Sequence, residues 1–141
     1  MILIHSAQFP ADLDAVIAIF REYVTSPKAD LGYQDYETEF AALPGKYAAP
    51  AGRLLLAYLN GAVVGCAALR QVDALTCELK RVYVRPSARG HQLGRQLVLQ
   101  MMGEAKAAGY QRMALDVLPE FEAAQALYRS LGFVPAAPVS H

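Results

Sequence analysis

The sequence ELKRVYVRPSARGHQLGR, residues 78–95, joins a strand to a helix through a short loop that contains glycine. The strand ends in a Val-Tyr-Val run, and Pro86 cannot extend it because proline has no N–H to donate to a ladder. A loop that leads into a helix presents unpaired backbone N–H groups at the positive end of the helix dipole, where phosphate binds readily. Glycine lets the backbone adopt positive φ and approach a ligand closely. The stretch therefore predicts a strand–loop–helix unit with a phosphate-binding site.

This stretch is strongly basic, although the whole chain is neutral. The chain holds 13 Lys and Arg residues against 13 Asp and Glu residues. A cluster of cations nevertheless falls within residues 80–95, namely Lys80, Arg81, Arg85, Arg89 and Arg95. A local basic cluster beside backbone N–H groups suits a small polyanionic ligand better than an extended nucleic acid. The alternative is a tight turn with a solvated arginine.

Length and composition predict one domain over residues 1–141, with a substantial core. Apolar residues make up 55% of the chain, but none of its apolar runs approaches the roughly 18 residues that span a bilayer. No secretory leader is recognisable, so we expect a cytoplasmic protein. Cys66 and Cys77 are then expected to be free thiols rather than a disulfide. Two cysteines and three scattered histidines give no metal-binding spacing, so we expect no metal.

The N-terminal third of the chain predicts a strand and two helices. A short strand at residues 2–5 precedes apolar residues at helical spacing, which predict a helix at 12–25. A second helix is predicted at 35–43. The tyrosines and acids of this region either line a pocket for a cationic ligand or belong to an ordinary surface helix with aromatic packing. They are Tyr33, Tyr36, Tyr47, Asp30, Asp35, Glu37 and Glu39.

The middle of the chain predicts three consecutive antiparallel strands. Strands at 53–59 and 62–69 flank Asn60-Gly61, and Asn-Gly between β-rich runs is the strongest short signal for a hairpin. A further turn leads into the strand at 76–84.

The C-terminal part of the sequence predicts a helical connection between two parallel strands, and then a final helix. A long helix at 92–108 is followed by a strand at 112–117. That strand should lie parallel to the strand before the helix, through a right-handed crossover. A final helix begins near Pro119, and residues 133–134 are expected to begin one more strand.

Two of these segments resemble motifs of the GCN5-related N-acetyltransferases, the GNAT superfamily. Residues 89–94 resemble the family's acyl-CoA-binding motif Gln/Arg-x-x-Gly-x-Gly/Ala, with Arg89 and Gly94 matching its first and last positions. Residues 126–133 resemble the closing motif A-x-x-L-Y-x-x-x-G-F. Two separated motifs in the right order are a stronger signal than either alone. Gln92 departs from the middle glycine.

The resemblance implies a GNAT-like α/β fold, with a mixed, mostly antiparallel central sheet flanked by helices. Its order would be strand, helix, helix, three strands, helix, strand, helix, with a shortened C-terminal end. Only eight residues follow Phe133, fewer than the two strands with which family members usually finish. Either the sheet is short, or a partner chain completes it, or the chain is a piece of a longer one. An uncompleted sheet edge would favour a homodimer.

The resemblance also implies that acetyl-CoA is the co-substrate. Its pantetheine arm would pair with the strand end formed by Val82, Tyr83 and Val84. Its pyrophosphate would bind the N–H groups of the loop and first helical turn, namely Arg89, Gly90, His91, Gln92, Leu93, Gly94 and Arg95. Phe121 stands where many members carry an asparagine that contacts the cofactor.

Two residues are candidates for the proton transfers that acetylation of an amine requires. Glu78 lies eleven positions before Arg89, which matches the catalytic glutamate of the histone-acetylating branch, and it is a candidate base. We expect it to share a strand face with Lys80, Val82 and Val84. The alternative is that Glu78 pairs with Lys80 or another nearby cation.

Tyr128 matches the family's tyrosine near the leaving sulfur, and a phenol that stays protonated at neutral pH can donate to it. The alternative is a tyrosine at the edge of the core. A backbone N–H near Val82 would stabilise the developing oxyanion. Asp116 either binds the acceptor or caps the following helix.

The leading hypothesis is therefore an N-acetyltransferase that acts on a primary amine of a small molecule or peptide, without nucleic-acid or membrane partners. The second is a non-catalytic acyl-CoA-binding or interaction module on the same fold. A dinucleotide-binding domain fits poorly, because the loop follows the fourth strand and lacks the G-x-G-x-x-G spacing.

Overall fold

The computed structural model describes residues 2–25, 36–115 and 122–135. It contains a five-stranded sheet in the order β1-β2-β3-β4-β5. The strands are β1 (Ile2–Ser6), β2 (Arg53–Leu59), β3 (Ala62–Gln71), β4 (Thr76–Val84) and β5 (Arg112–Ala114). The helices are α1 (Leu13–Val24), α2 (Tyr36–Ala41), α3 (Leu93–Ala107) and α4 (Glu122–Ser130). The element order and the mixed α/β fold class agree with the prediction.

Neighbouring strands from β1 to β4 are antiparallel, and β5 is parallel to β4 through α3. The β2–β3 turn has Asn60 at φ 52° and Gly61 at φ 88°, as a two-residue hairpin with matching strand twist requires. β5 is described as a strand only for residues 112–114, and the remainder of the strand predicted at 112–117 lies largely outside the described residues.

The sheet is covered on both faces, which explains why residues 64–69 of β3 are all buried although most of them are small. One core cluster packs α3 against the sheet through Leu93, Leu97, Val98 and Met101. The other packs α1 and α2 against the opposite face through Val16, Ile19, Phe20 and Phe40. Among the described residues, no helix has the length and apolarity needed to cross a membrane.

A β-bulge interrupts β4 and corrects one prediction. Cys66 pairs with Tyr83 and Ala68 with Lys80, so that two residues of β4 oppose one residue of β3. The bulge residue Arg81 has φ 57°, which L-residues rarely adopt.

An extra residue reverses the alternation of side chains along the strand. Before the bulge, Cys77 and Leu79 face α3, whereas after it Val82 and Val84 do. Glu78 and Lys80 therefore face α1 and α2. The expectation that they share a face with the two valines was wrong, because alternation holds only in an unbroken ladder.

The region around α2 supports the packing alternative for its aromatic residues. The rings of Phe20 and Tyr47 meet edge to face with centroids 6.1 Å apart, and Tyr36 stacks on Phe40. Glu37 forms an ion pair with Arg21. The other residues of that prediction, Asp30, Tyr33 and Asp35, lie outside the described residues.

At the C-terminal end, residues 133–135 do not form a strand, in contrast to the prediction for residues 133–134. The Phe133 N–H instead donates to the Tyr128 carbonyl at 3.1 Å, in the turn that ends α4. Phe133 packs against Tyr128, with ring centroids 5.7 Å apart.

Candidate active site

β4 and β5 are paired over three residues each in the described part of the chain. The parallel pairs are Thr76 with Arg112, Cys77 with Met113 and Glu78 with Ala114. β4 continues to Val84, and in the described ranges no strand lies beside it on this side. We call the backbone of residues 79–84 on the side away from β3 the open edge of β4. An extended ligand can pair with such an edge, and Glu78 lies where it begins.

The backbone of Val84 faces the open edge. The Arg85 N–H donates to the Val64 carbonyl on β3 at 2.7 Å. Because successive residues of a strand direct their backbone groups to opposite sides, Val84 points away from β3. Its carbonyl accepts a hydrogen bond from Arg89 Nε at 3.3 Å. A ligand that pairs here would compete with the Arg89 side chain for this carbonyl.

The peptide between Arg81 and Val82 lies in the bulge and has a defined orientation. The Cys66 thiol donates to the Arg81 carbonyl, with an S···O distance of 3.1 Å. In a planar trans peptide, the C=O and N–H groups point in opposite directions. The Val82 N–H is therefore directed away from Cys66, towards the open edge.

Glu78 is buried beside a cation from the neighbouring strand. Its residue is 1% exposed, and its Oε1 accepts a hydrogen bond from Arg70 Nε at 2.7 Å. Arg70 pairs with Glu78 in the register of β3 and β4. The sequence did not decide which cation pairs with Glu78, and in the structure it is Arg70 rather than Lys80. The guanidinium compensates the buried negative charge without occupying all of the carboxylate's acceptor sites.

Lys80 lies two residues beyond Glu78 on the same face. Burial lowers the pKa of its ammonium group, and the nearby Glu78 carboxylate opposes this effect. Among the described residues, no carboxylate oxygen lies within 4.0 Å of the Lys80 ammonium nitrogen.

The predicted basic cluster is divided in the fold. Arg81 is buried in an ion pair with Glu39, and Arg85 is paired with Glu22. The same Glu22 accepts a hydrogen bond from the Tyr83 hydroxyl at 2.7 Å. Of the five cations, only Arg89 and Arg95 lie at the loop. Closeness in sequence overestimated the positive charge at the loop, because carboxylates from α1 and α2 pair with Arg85 and Arg81.

The loop before α3 presents backbone donors. The side chains of the loop and of the first turn of α3 provide no N-cap hydrogen bond, and the first helical bond runs from the Gln96 N–H to the Gln92 carbonyl at 3.0 Å. Within the described part of the chain, the backbone N–H groups of residues 90–95 donate no hydrogen bond to another backbone group. The Arg89 N–H differs, because it donates to the Pro86 carbonyl at 3.3 Å. Of the N–H groups predicted to bind the pyrophosphate, that of Arg89 therefore already has a partner within the protein.

Two residues of this loop adopt left-handed conformations. Gly90 has φ 96° and Gln92 has φ 56°. Gln92, which stands at the position of the motif's middle glycine, adopts a backbone conformation that glycine would adopt without strain. His91 is exposed, and its carbonyl accepts a hydrogen bond from the Gln96 side chain.

Tyr128 lies on α4, beside the loop and α3. This helix packs on the first turn of α3, where a Cβ on Gly94 would lie 3.7 Å from a methyl group of Leu127, and Arg95 Nη1 donates to Ser130 Oγ at 3.1 Å. Burial raises the pKa of Tyr128 to about 12, with a smaller contribution from Tyr23 on α1. The phenol is therefore protonated at neutral pH.

Residues 13–133 match the acetyltransferase (GNAT) family. The chain belongs to this family. It is 36% identical over 142 residues to an uncharacterized N-acetyltransferase of Schizosaccharomyces pombe, and the match covers 99% of this chain and 87% of that protein. The sequence-based predictions of family and of an acetyl-CoA-dependent acyltransferase are confirmed.

Solved structures support the same fold. An acetyltransferase from Streptococcus agalactiae superposes with a TM-score of 0.82 at 24% identity, over 99% of this chain and 90% of that chain. YncA of Salmonella typhimurium, solved with its cofactor acetyl-CoA, superposes with a TM-score of 0.76 at 25% identity, over 97% of this chain and 82% of that one.

Two residues that contact this GNAT site were missed from the sequence. Arg70 was left outside the strand predicted at 62–69; a hairpin register extended by two residues would have placed it opposite Glu78. Glu22 lies on a distant helix, and no local pattern indicates its partners. Glu39 was among the acids named for a possible pocket, but its pairing with Arg81 was not predicted. Phe121 and Asp116 lie outside the described residues.

Proposed function

We propose that this GNAT-family protein transfers an acetyl group from acetyl-CoA to a primary amine of a small molecule or peptide. The observation that carries the proposal is that β4 continues to Val84, whereas its pairing with the described part of β5 ends at Glu78. It puts a buried carboxylate, an open strand edge and a loop with available N–H groups on one continuous strand–loop–helix unit.

Two sets of backbone groups fit the co-substrate. The open edge at Val82 and Val84 fits an extended amide-containing arm such as pantetheine. The N–H groups of residues 90–95, at the positive end of α3, fit a pyrophosphate. When bound there, acetyl-CoA supplies an acetyl group activated as a thioester.

Glu78 is proposed as the base. An ammonium group has no lone pair, so the acceptor must lose a proton before its nitrogen can bond to the acetyl carbon. Glu78 would take this proton, directly or through water, while Arg70 holds the carboxylate in place.

Tyr128 is proposed as the acid. As the carbon–sulfur bond breaks, the sulfur leaves with the bonding electron pair and needs a proton. The Tyr128 hydroxyl is protonated at neutral pH and can donate a hydrogen bond, and then its proton, to the departing sulfur. Burial raises its pKa, which makes it a weaker acid than an exposed tyrosine.

The test begins with calorimetric titration of the protein with acetyl-CoA, using NAD as the control ligand. A panel containing a polyamine, amino acids, an aminoglycoside and short peptides is then assayed for release of the CoA thiol. We expect saturable acetyl-CoA binding, no NAD binding and thiol release with at least one amine. Binding without thiol release across the panel would favour the non-catalytic module, and no binding near millimolar acetyl-CoA would overturn the proposal.

The Tyr128→Phe variant tests the acid separately. Removing a general acid should lower turnover by roughly 10²-fold. Acetyl-CoA affinity should stay near that of the original protein, because the aromatic ring and its packing on Phe133 remain. Full turnover in this variant would refute the role of Tyr128.

A further inference from the structure

The bulge residue Arg81 is held by an ion pair from the opposite helical layer. Its Nε and Nη2 donate to Glu39 Oε2 and Oε1 on α2 at 3.1 and 2.9 Å. The two side chains are 4% and 15% exposed. The guanidinium also lies over the Tyr36 ring, 5.4 Å from its centroid. This contact joins α2 to the centre of β4.

Glu39 has further partners that fix its position. Its Oε1 accepts a hydrogen bond from the Tyr47 hydroxyl at 3.3 Å and lies 3.6 Å from Lys46 Nζ. Burial alone would raise the pKa of Glu39, but the Arg81 guanidinium outweighs this effect and the pKa is lowered. The pair is thus ionised at neutral pH.

Stability does not account well for an ion pair in this position. Desolvation of two charges offsets much of their attraction, so that such pairs are often replaceable by apolar residues. The left-handed conformation of Arg81 adds a cost of about 1–2 kcal/mol. Strained conformations persist where the surroundings over-determine them, and they concentrate at functional sites.

The conformation of Arg81 decides where the next N–H points. The side chain is fixed by Glu39 and the carbonyl by the Cys66 thiol, so both sides of the residue are held. These contacts set the plane of the peptide between Arg81 and Val82. The Val82 N–H is directed to the open edge for this reason.

We propose that Glu39 is a positioning residue for acetyl transfer. Through Arg81 it fixes the bulge, so that the Val82 N–H stays directed at the open edge and donates to the acetyl carbonyl oxygen. This inference rests on the proposed function for the ligand, but its structural part concerns the protein alone. It assigns a role in transfer to a helix on the opposite face of the sheet from the phosphate-binding loop.

The experiment compares two variants with a matched control. Glu39→Gln removes one charge of the pair. Arg81→Gly removes the guanidinium while allowing positive φ, and Glu39 keeps Lys46 and Tyr47 as partners, so this variant should fold. The control is Glu104→Gln, which breaks a similar bond, Arg53 Nε to Glu104 Oε1 at 2.9 Å, between β2 and α3.

Two readouts distinguish positioning from general stability. Hydrogen exchange of the Tyr83 amide, which faces β3 opposite Cys66 directly after the bulge, followed by NMR without ligand, should become about tenfold faster in both variants, since a loss of roughly 1.4 kcal/mol of local stability is a tenfold change. The calorimetric preference for acetyl-CoA over CoA should fall about fivefold, because the lost hydrogen bond involves the acetyl group alone. CoA affinity and all values for Glu104→Gln should stay within twofold of the original protein.

The proposal is overturned if Tyr83 exchange and the acetyl-CoA preference both stay at original values in the two variants. It is also overturned if Glu104→Gln changes them equally, because the effect would then be one of general stability. A protein that binds no acetyl-CoA would contradict the proposed function. The exchange measurement would then decide alone whether Glu39 fixes the bulge.

Discussion

Arg81 in the β4 bulge and Gln92 in the loop before α3 share a backbone conformation, yet they are held differently. Their φ angles are 57° and 56°. The Arg81 side chain is buried and forms two hydrogen bonds to Glu39, whereas Gln92 is exposed and provides no side-chain cap. The bulge residue is thus held through its side chain by another layer, whereas the side chain of Gln92 provides no such support.

The difference follows from what each region has to present. The bulge must hold one N–H in one direction, and packing on both sides achieves this. The loop must leave several N–H groups available, and any capping side chain would occupy one of them. We therefore expect substitutions near the bulge to affect acetyl transfer, and substitutions in the loop to affect acetyl-CoA binding.

The largest effect is expected for Glu78→Gln, beside the bulge. Loss of a general base should lower turnover by roughly 10²–10⁴-fold. Acetyl-CoA affinity should be little changed, since Glu78 faces away from Val82 and Val84. Steady-state kinetics and calorimetry measure the two quantities, with Glu37→Gln, on the exposed pair with Arg21, as the control. An unchanged pH–rate profile in Glu78→Gln would exclude the base role.

Arg81→Gly should lower the free energy of unfolding by about 2 kcal/mol, because breaking a buried ion pair costs about 3–5 kcal/mol and glycine relieves about 1–2 kcal/mol of backbone strain. Glycine adopts positive φ readily, so the loss would come from the missing contacts with Glu39. Urea denaturation measures the change. If stability were unchanged, the bulge would not depend on this side chain, and the contrast with Gln92 would disappear.

Gly90→Ala should weaken acetyl-CoA binding about tenfold, because an alanine at φ 96° is strained by about 1–2 kcal/mol. A Cβ at this position meets no atom within 4 Å, so the cost is conformational. Gly103→Ala is the matched control. Its Cβ also meets nothing, but it lies inside α3, where alanine should stabilise the helix by about 1 kcal/mol. Calorimetry that finds equal acetyl-CoA affinity in both variants would contradict this prediction.

The smallest effect is expected for Gln92→Gly. Relief of strain should nearly cancel the larger conformational entropy of glycine in the unfolded chain, which leaves a change within about 0.5 kcal/mol. Thermal unfolding and acetyl-CoA titration should both stay close to the original values. A large loss of either would show that the Gln92 side chain holds the loop, as Glu39 is proposed to hold the bulge.

The sequence predicted local elements well because their signals are local. Asn60-Gly61 fixed the β2–β3 turn, and the bounds of β2 and β4 agree with those expected. The family motifs located the loop and Tyr128. Helical spacing identified α1 and α3 to within a residue or two at each end.

The bulge in β4 could not be predicted, because it depends on contacts between distant residues. None of the residues next to Arg81 indicates a left-handed conformation there, because β4 consists largely of residues with high β propensity. Its partner Glu39 lies on α2, and the pairing becomes apparent only when α2 packs on the sheet. The phase of Glu78 relative to Val82 was wrong for this reason.

The sheet that separates the two helical layers has a consequence for how this enzyme could diversify. Side chains of α1 and α2 pack on one face of the sheet. On the other face packs α3, the helix that follows the phosphate-binding loop. Substitutions on α1 and α2 would change the layer that Glu78 faces and leave the phosphate-binding loop unchanged. Glu39 would be the exception, because it lies on α2 but is proposed to act on the acetyl donor through Arg81.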